Sequence, residues 1–138
     1  MNCLNIPFLF SSLVGILSTV WIQAAQQPIE TIAFGSCLKQ TRPQPIWGSV
    51  LQKKPDIFVL LGDNIYGDTR DMEKLESKWN DFSLISGFKK LRQNSRLLAV
   101  WDDHDYGEND AGIEFPKKVE SQKIFLDFLK YPGVSKDK

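Results

Sequence analysis

The stretch IFVLLGDNIYGD, residues 57–68, sets five apolar residues directly against a turn built from glycine and acid. Ile57 to Leu61 has the length and apolar continuity of a buried β-strand. Gly62 frees the backbone to turn sharply, which places Asp63 on the strand's edge. Two pictures fit this turn. In one, Asp63 caps the turn while Tyr66 packs against the sheet. In the other, Asp63 bridges two metal ions through its two oxygens and Tyr66 returns its phenol to the same centre. A phenolate suits a hard, highly charged ion such as ferric iron.

Working outward, strand-like and helix-like segments alternate on both sides. Upstream, IETIAF (29–34) reads as a strand closed by Gly35-Ser36-Cys37, and IWGSVLQKK (46–54) carries Ile46, Val50 and Leu51 at helical spacing. Downstream, DMEKLESKWNDF (71–82) places Met72, Leu75, Trp79 and Phe82 three or four apart, with acids in the first turns where the helix dipole favours them. A short helix over 85–94, a strand RLLAVW over 96–101 and an amphipathic helix over 116–131, carrying Val119, Phe125, Leu126 and Leu129, follow. This order predicts an α/β fold with a parallel sheet flanked by helices. In such sheets functional groups gather beyond the carboxyl ends of the strands. All three strands end in reactive residues, namely Cys37, Asp63 and Asp102 to Asp105, which should converge along one sheet edge.

The third of these ends is the most crowded. LLAVWDDHDYGENDAG, residues 97–112, sets five acids (Asp102, Asp103, Asp105, Glu108 and Asp110) around His104, the only histidine in the chain. Carboxylates so close repel at neutral pH, so either a cation sits among them or the segment is a solvated acidic turn. In the first case Asp102 and Asp103 are hard-cation ligands, and His104 protonates a leaving group or binds phosphate. Asn109 and Asp110 then orient ligands or substrate. Cys37 is open to two roles, a small buried hydrophobe or a thiolate ligand. A single imidazole excludes a zinc site needing several histidines within one chain. A calcium loop of the EF-hand type is excluded too, because Gly107 stands where an oxygen ligand is required. No dinucleotide-binding loop or P-loop is present.

Composition narrows the setting. The chain has 138 residues, 42% hydrophobic and 25% charged, with a formal net charge of +0. That size suits at most one domain, and that charge gives no general attraction to nucleic acid or anionic membrane. Residues 1–25 hold no charged side chain, and an apolar run from Ile6 to Ile22 precedes Ala24 and Ala25. This reads as a secretory signal peptide and an exported protein, secreted or periplasmic; a retained membrane anchor is the alternative. Cleavage would remove Cys3 and leave Cys37 alone, unable to form an internal disulfide.

Taken together, AFGSC (33–37), LLGDNIY (60–66) and VWDDHDYGENDAG (100–112) resemble the PhoD-like alkaline phosphatases, a branch of the metallophosphoesterases. The resemblance runs from about Ile32 to the C-terminus and includes PQPIW (43–47) and DMEKL (71–75). It implies an αββα sandwich with a centre of iron and calcium. Cys37, Asp63 and Tyr66 would bind the iron; Asp63 would bridge to the calcium, held by Asp103 with Asp102 adjacent. His104 would be the catalytic phosphate contact and general acid, and Asn109 a substrate-binding residue. The implied reaction is hydrolysis of small-molecule phosphate mono- or diesters. Family members are longer, and their C-terminal half supplies further ligands, including histidine. Residues 26–138 therefore match only the first half of the sandwich, with parallel βαβ units. Two expectations follow: one sheet face left uncovered and apolar, and a chain that alone is inactive or merely binds metal or phosphate until a complementary C-terminal half joins it.

Overall fold

A computed structural model describes residues 28–130. The expected signal segment at 1–25 lies outside these residues. The elements run β1 (Ile32–Gly35), α1 (Ile46–Lys53), β2 (Ile57–Leu61), α2 (Met72–Leu84), α3 (Ser86–Asn94), β3 (Arg96–Val100), α4 (Asp103–Tyr106) and α5 (Lys118–Leu129). The expected alternation of strands and helices is present, with α4 as an addition inside the acidic motif. Among the described residues no helix is long and apolar enough to cross a membrane.

Local chemistry sets the boundaries. Asp71 caps α2 by accepting from the backbone N–H of Glu73 and Lys74, at 3.1 and 3.3 Å. Lys54 and Lys130 end α1 and α5 in the left-handed region. The β-strands form one parallel sheet in the order β1-β2-β3. Right-handed crossovers between sequential parallel neighbours carry every connecting helix to the same side. The alternation of the strands agrees with this: Phe58 and Leu60 of β2 enter the core with Ala33, Leu97 and Ala99 packed beside them.

That core is largely aromatic. Trp47 of α1, Phe82 of α2 and Phe88 of α3 are buried together, and the Phe82 and Phe88 rings stack at 4.2 Å. Trp79 meets Phe125 of α5 at 5.5 Å, which locks the last helix onto α2. Offset and tilted aromatic pairs add stabilisation beyond the area they bury. Two details of the helical spacing differ from expectation. On α1 the inward residue is Trp47 while Ile46 is exposed, and on α5 Val119 is exposed while Ser121 and Phe125 are buried. On α1 Trp47 fills the core with the expected Val50 and Leu51 packed against it, and on α5 the expected Phe125 is buried with Leu129 packed against the same core.

The expected two-sheet sandwich is found only in its coarse part. The described residues contain a mixed α/β arrangement with one three-stranded parallel sheet and five helices. β2 is correspondingly not buried throughout, since Leu61 is exposed. The sheet face opposite the helices presents Ile32, Phe34, Leu98 and Val100 to solvent.

Close approach of α1 and α3 requires a glycine. A Cβ on Gly87 would lie 2.7 Å from Cγ of Trp47, whereas one on Gly48 would meet nothing within 4 Å. Gly87→Ala is therefore expected to destabilise the fold by about 1–3 kcal/mol through overpacking. Gly48→Ala, within an α-helix, should stabilise it by roughly 0.5–1 kcal/mol. Urea denaturation of both variants reads the contrast; equal effects would refute the Trp47–Gly87 contact.

Candidate metal centre

The parallel register sets Gly35 beside Leu60 and Leu60 beside Ala99, so the three strands finish level. The loops that follow are then stitched together. Cys37 N–H donates to Gly62 O at 3.3 Å and Leu38 N–H to Asp63 O at 2.9 Å, joining the first loop to the second. The Gln40 side chain brackets Tyr66, accepting from its N–H at 3.0 Å and donating to its carbonyl at 3.4 Å. Lys78 of α2 donates to that same Tyr66 carbonyl at 3.2 Å.

The second and third loops meet through one buried carboxylate. Asp105 accepts from Ile65 N–H, Asn64 Nδ2 and Asp102 N–H, each at 3.0 Å. Asn64 also donates to Val100 O at 2.9 Å. Gly62, at φ 98°, permits the contact, because a Cβ there would lie 2.9 Å from Cβ of Asp102. Cys37 and Asp63 stand at φ 57° and 47°, left-handed values that non-glycine residues adopt only where surroundings enforce them.

These constraints bring Asp63, Asp103 and His104 together, each offering one ligand atom within 4.8 Å of the others. Asp63 is the hub. Its Oδ2 accepts from the Tyr66 hydroxyl at 3.4 Å and from the Cys37 thiol at 3.7 Å. Its Oδ1 is buried with no hydrogen-bond partner. A buried carboxylate oxygen left unpaired is costly, and a cation would satisfy it. Burial, followed by the charges of Asp63 and Cys37, raises the Tyr66 phenol above its ordinary pKa. Tyr66 accordingly keeps its proton unless a positive ion replaces it. The two carboxylates and the imidazole of the trio thus fit a metal ion, while the Cys37 thiol and the Tyr66 phenol join them only through Asp63.

A carboxylate outside the trio holds His104. Its Nδ1 lies 2.6 Å from Asp68 Oδ1, and its ring rests 4.3 Å from that of Tyr66. Burial pulls its pKa down, but the bond to Asp68 and the charges of Asp68, Asp103 and Asp63 outweigh this and raise it above the ordinary value. Asp103 moves the other way. The Asp110 N–H bonded to its Oδ2 is the main cause holding its pKa low, with burial opposing. Asp105, pushed up to about 6 mainly by burial despite its N–H donors, serves the framework.

Not every residue singled out in the sequence arrives here. Cys37 is exposed, which removes the buried-hydrophobe reading. Asp102 is exposed and caps α4 through its bond with Asp103 N–H, so it lies outside the trio. Asn109 is exposed with its amide on Asp110 Oδ2 at 2.6 Å and no bond to Asp63, Asp103 or His104. The residues that sequence reasoning missed are Asp68, Asn64, Asp105 as a clamp, and Gln40. Asp68 carried a signal, since Gly-Asp occurs at both 62–63 and 67–68; Gln40 carried none. The hollow of about 300 Å³ lined by Asn80, Arg92 and Phe128 among others lies elsewhere and holds none of these groups.

Comparisons with models of protein families, with curated proteins and with solved structures found no match to this chain. The functional reading therefore stands on the residues themselves.

Two titrations test this geometry. With a single histidine in the chain, one imidazole signal reports His104 by NMR. Asp68→Asn should shift its titration to lower pH, and an unchanged midpoint would dismiss the pairing. Asp105 takes a proton more readily folded, at about 6, than at its ordinary 3.8. The stability this confers is fully present below the lower value and is lost as pH rises through the higher one. In chelator-treated protein, wild type should lose stability relative to Asp105→Asn across that interval. Parallel urea-denaturation curves at every pH would rule Asp105 out as the titrating group.

Proposed function

We propose that this protein is an exported, metal-dependent hydrolase of phosphate mono- or diesters, of the PhoD-like alkaline phosphatase type. The observation that carries the reading is the meeting of Asp63, Asp103 and His104, with Cys37 and Tyr66 bonded to the same Asp63 oxygen. Asp63 and Asp103 would hold the cations, and the softer Cys37 and the phenol of Tyr66 would complete the side facing the first loop. Calcium and ferric iron match these oxygen, phenolate and thiolate donors. Such ions, when bound, polarise the phosphoryl oxygens, lower the pKa of water and offset charge on the leaving oxygen.

The remaining chemistry belongs to the chain. Asp68 fixes Nδ1 of His104 and favours the protonated ring, which leaves Nε2 to donate toward a phosphoryl oxygen or a departing alkoxide. The Tyr66 ring beneath it restricts the tilt of the imidazole. Asp102 contributes by starting α4, so that Asp103 and His104 leave the helix on the side of Asp63. A substrate contact from Asn109 requires its amide to leave Asp110.

Metal analysis and hydrolysis of p-nitrophenyl phosphate with added calcium and iron test the reading. Wild type should take up metal and show the visible phenolate-to-iron colour, turn over the ester little or not at all when alone, and hydrolyse it above the metal-free rate when a complementary C-terminal half is supplied. Asp63→Asn should lose both metal and turnover, and retention of both would overturn the assignment. His104→Gln should keep the metal and lose turnover by about 100-fold or more. Metal uptake by wild type without any turnover even when that half is supplied would instead favour a non-catalytic metal- or phosphate-binding role.

A further inference from the structure

The loop after β1 brings one more charged group to the rim of the candidate centre. Leu38 N–H is bonded to Asp63 O at 2.9 Å and the Gln40 side chain to Tyr66 N–H at 3.0 Å, so Lys39 stands between two ties to the loop after β2. Its own carbonyl accepts from Arg42 N–H at 3.0 Å and from Gln44 Nε2 at 3.1 Å, which fixes the turn it belongs to. Lys39 Nζ then lies 5.1 Å from the centre of the Tyr66 ring. That ring is 4.3 Å from the ring of His104 and carries the hydroxyl bonded to Asp63 Oδ2. An ammonium this close to an aromatic face is attracted by the ring while its three donors stay open to other partners. The neighbouring cations are already engaged. Lys78 donates to the carbonyls of Tyr66 and Gly67, and Arg70 pairs with Glu108 at 2.8 Å. Lys39 pairs with no carboxylate among the described residues.

We propose that Lys39 is a substrate-binding residue that recognises the second negative charge of a phosphate monoester, so that the centre favours monoesters over diesters. The inference rests on the phosphatase reading of the centre and names the substrate class within it. Asp63, Asp68 and Asp103 give the rim an excess of carboxylates, so an anionic ester is repelled unless positive groups face it. Because Lys39 and His104 both lie against the Tyr66 ring, one phosphate group can meet both. Metal ions and His104 would act on phosphoryl and leaving oxygens, which mono- and diesters have in common. The two classes differ at the remaining oxygen, which is anionic in a monoester and alkylated in a diester. A lysine ammonium is a compact point charge with three donors, which suits an anionic oxygen and gains little from an alkylated one. The Tyr66 ring steadies that charge beside the centre without taking up its donors.

Calorimetry of the full chain, loaded with calcium and iron and then freed of excess metal, tests this with two probes at alkaline pH. Inorganic phosphate is there a dianion and dimethyl phosphate a monoanion. Wild type should bind inorganic phosphate about 10-fold more tightly than dimethyl phosphate. Lys39→Met keeps an unbranched side chain against the Tyr66 ring. It should weaken inorganic phosphate by about 10-fold and dimethyl phosphate little, with metal content and the His104 NMR titration unchanged. Lys39→Arg should restore most of the preference. If Lys39→Met binds phosphate like wild type, or wild type binds both anions equally, the inference is overturned and the phosphatase reading still stands. Metal uptake with neither anion bound, or no metal uptake at all, would remove both. Acetylation of wild-type lysines, read by mass spectrometry, keeps the test decisive should a variant fail to fold. Phosphate should slow modification of Lys39 but not of Lys53, an exposed residue in the last turn of α1. Equal rates at Lys39 with and without phosphate would exclude the contact.

Discussion

The arrangement of this protein depends on one buried carboxylate. Asp105 accepts from the backbone after β2, the backbone after β3 and the Asn64 amide. These bonds join two loops separated by some forty residues of sequence, and those of Asn64 to Val100, Gly67 to His104 and Asp68 to His104 add to them. A carboxyl buried in this way is expensive to desolvate, and its N–H donors offset that cost. The consequence reaches the centre, because α4 begins at Asp103 and projects both Asp103 and His104 from the same short turn. Orientation of Asp103 and His104 is thus a property of the residue beneath them.

Around that anchor the charges are arranged in opposition. Asp63 and Asp103 face each other with a histidine between, and the Asp63 Oδ1 is left without a partner. Asp68 draws a proton toward His104, while the bond from Asp110 keeps Asp103 ionised. Two anions and a phenol that gives up its proton only to a positive ion form an incomplete electrostatic set. The left-handed backbone at Cys37 and Asp63 fits the same picture, since strain of this kind is retained where the surrounding bonds over-determine the conformation.

The other half of the molecule has the opposite problem. Its aromatic core is dense on the helix side, where Trp47, Trp79, Phe82, Phe88 and Phe125 share one volume. The strand order β1-β2-β3 sends every crossover to that side. The reverse face keeps the apolar character that a parallel sheet needs for burial and, among the described residues, has no helix to bury it. Site and bare face are therefore two results of the same topology, one at the carboxyl rim and one across the strands.

The alternation of strands and helices was legible in the sequence because apolar period and turn residues are local. Ile57–Leu61, the helix beginning after Asp71 and the strand from Arg96 all fall where pattern placed them, and the convergence of three strand ends follows from parallel pairing alone. The candidate residue types were equally legible, since repulsion among crowded acids is a property of composition over a short span. The sequence could not assign those acids to separate tasks. Asp102 became a helix cap, Asp105 a clamp, Asp103 a member of the candidate trio and Asp68 the partner of His104, because different hydrogen-bond partners reach each of them. The rotation of α1 likewise waited on Trp47 filling the core. Period and charge are written along the chain; the choice among identical carboxylates is made by the neighbours that folding brings.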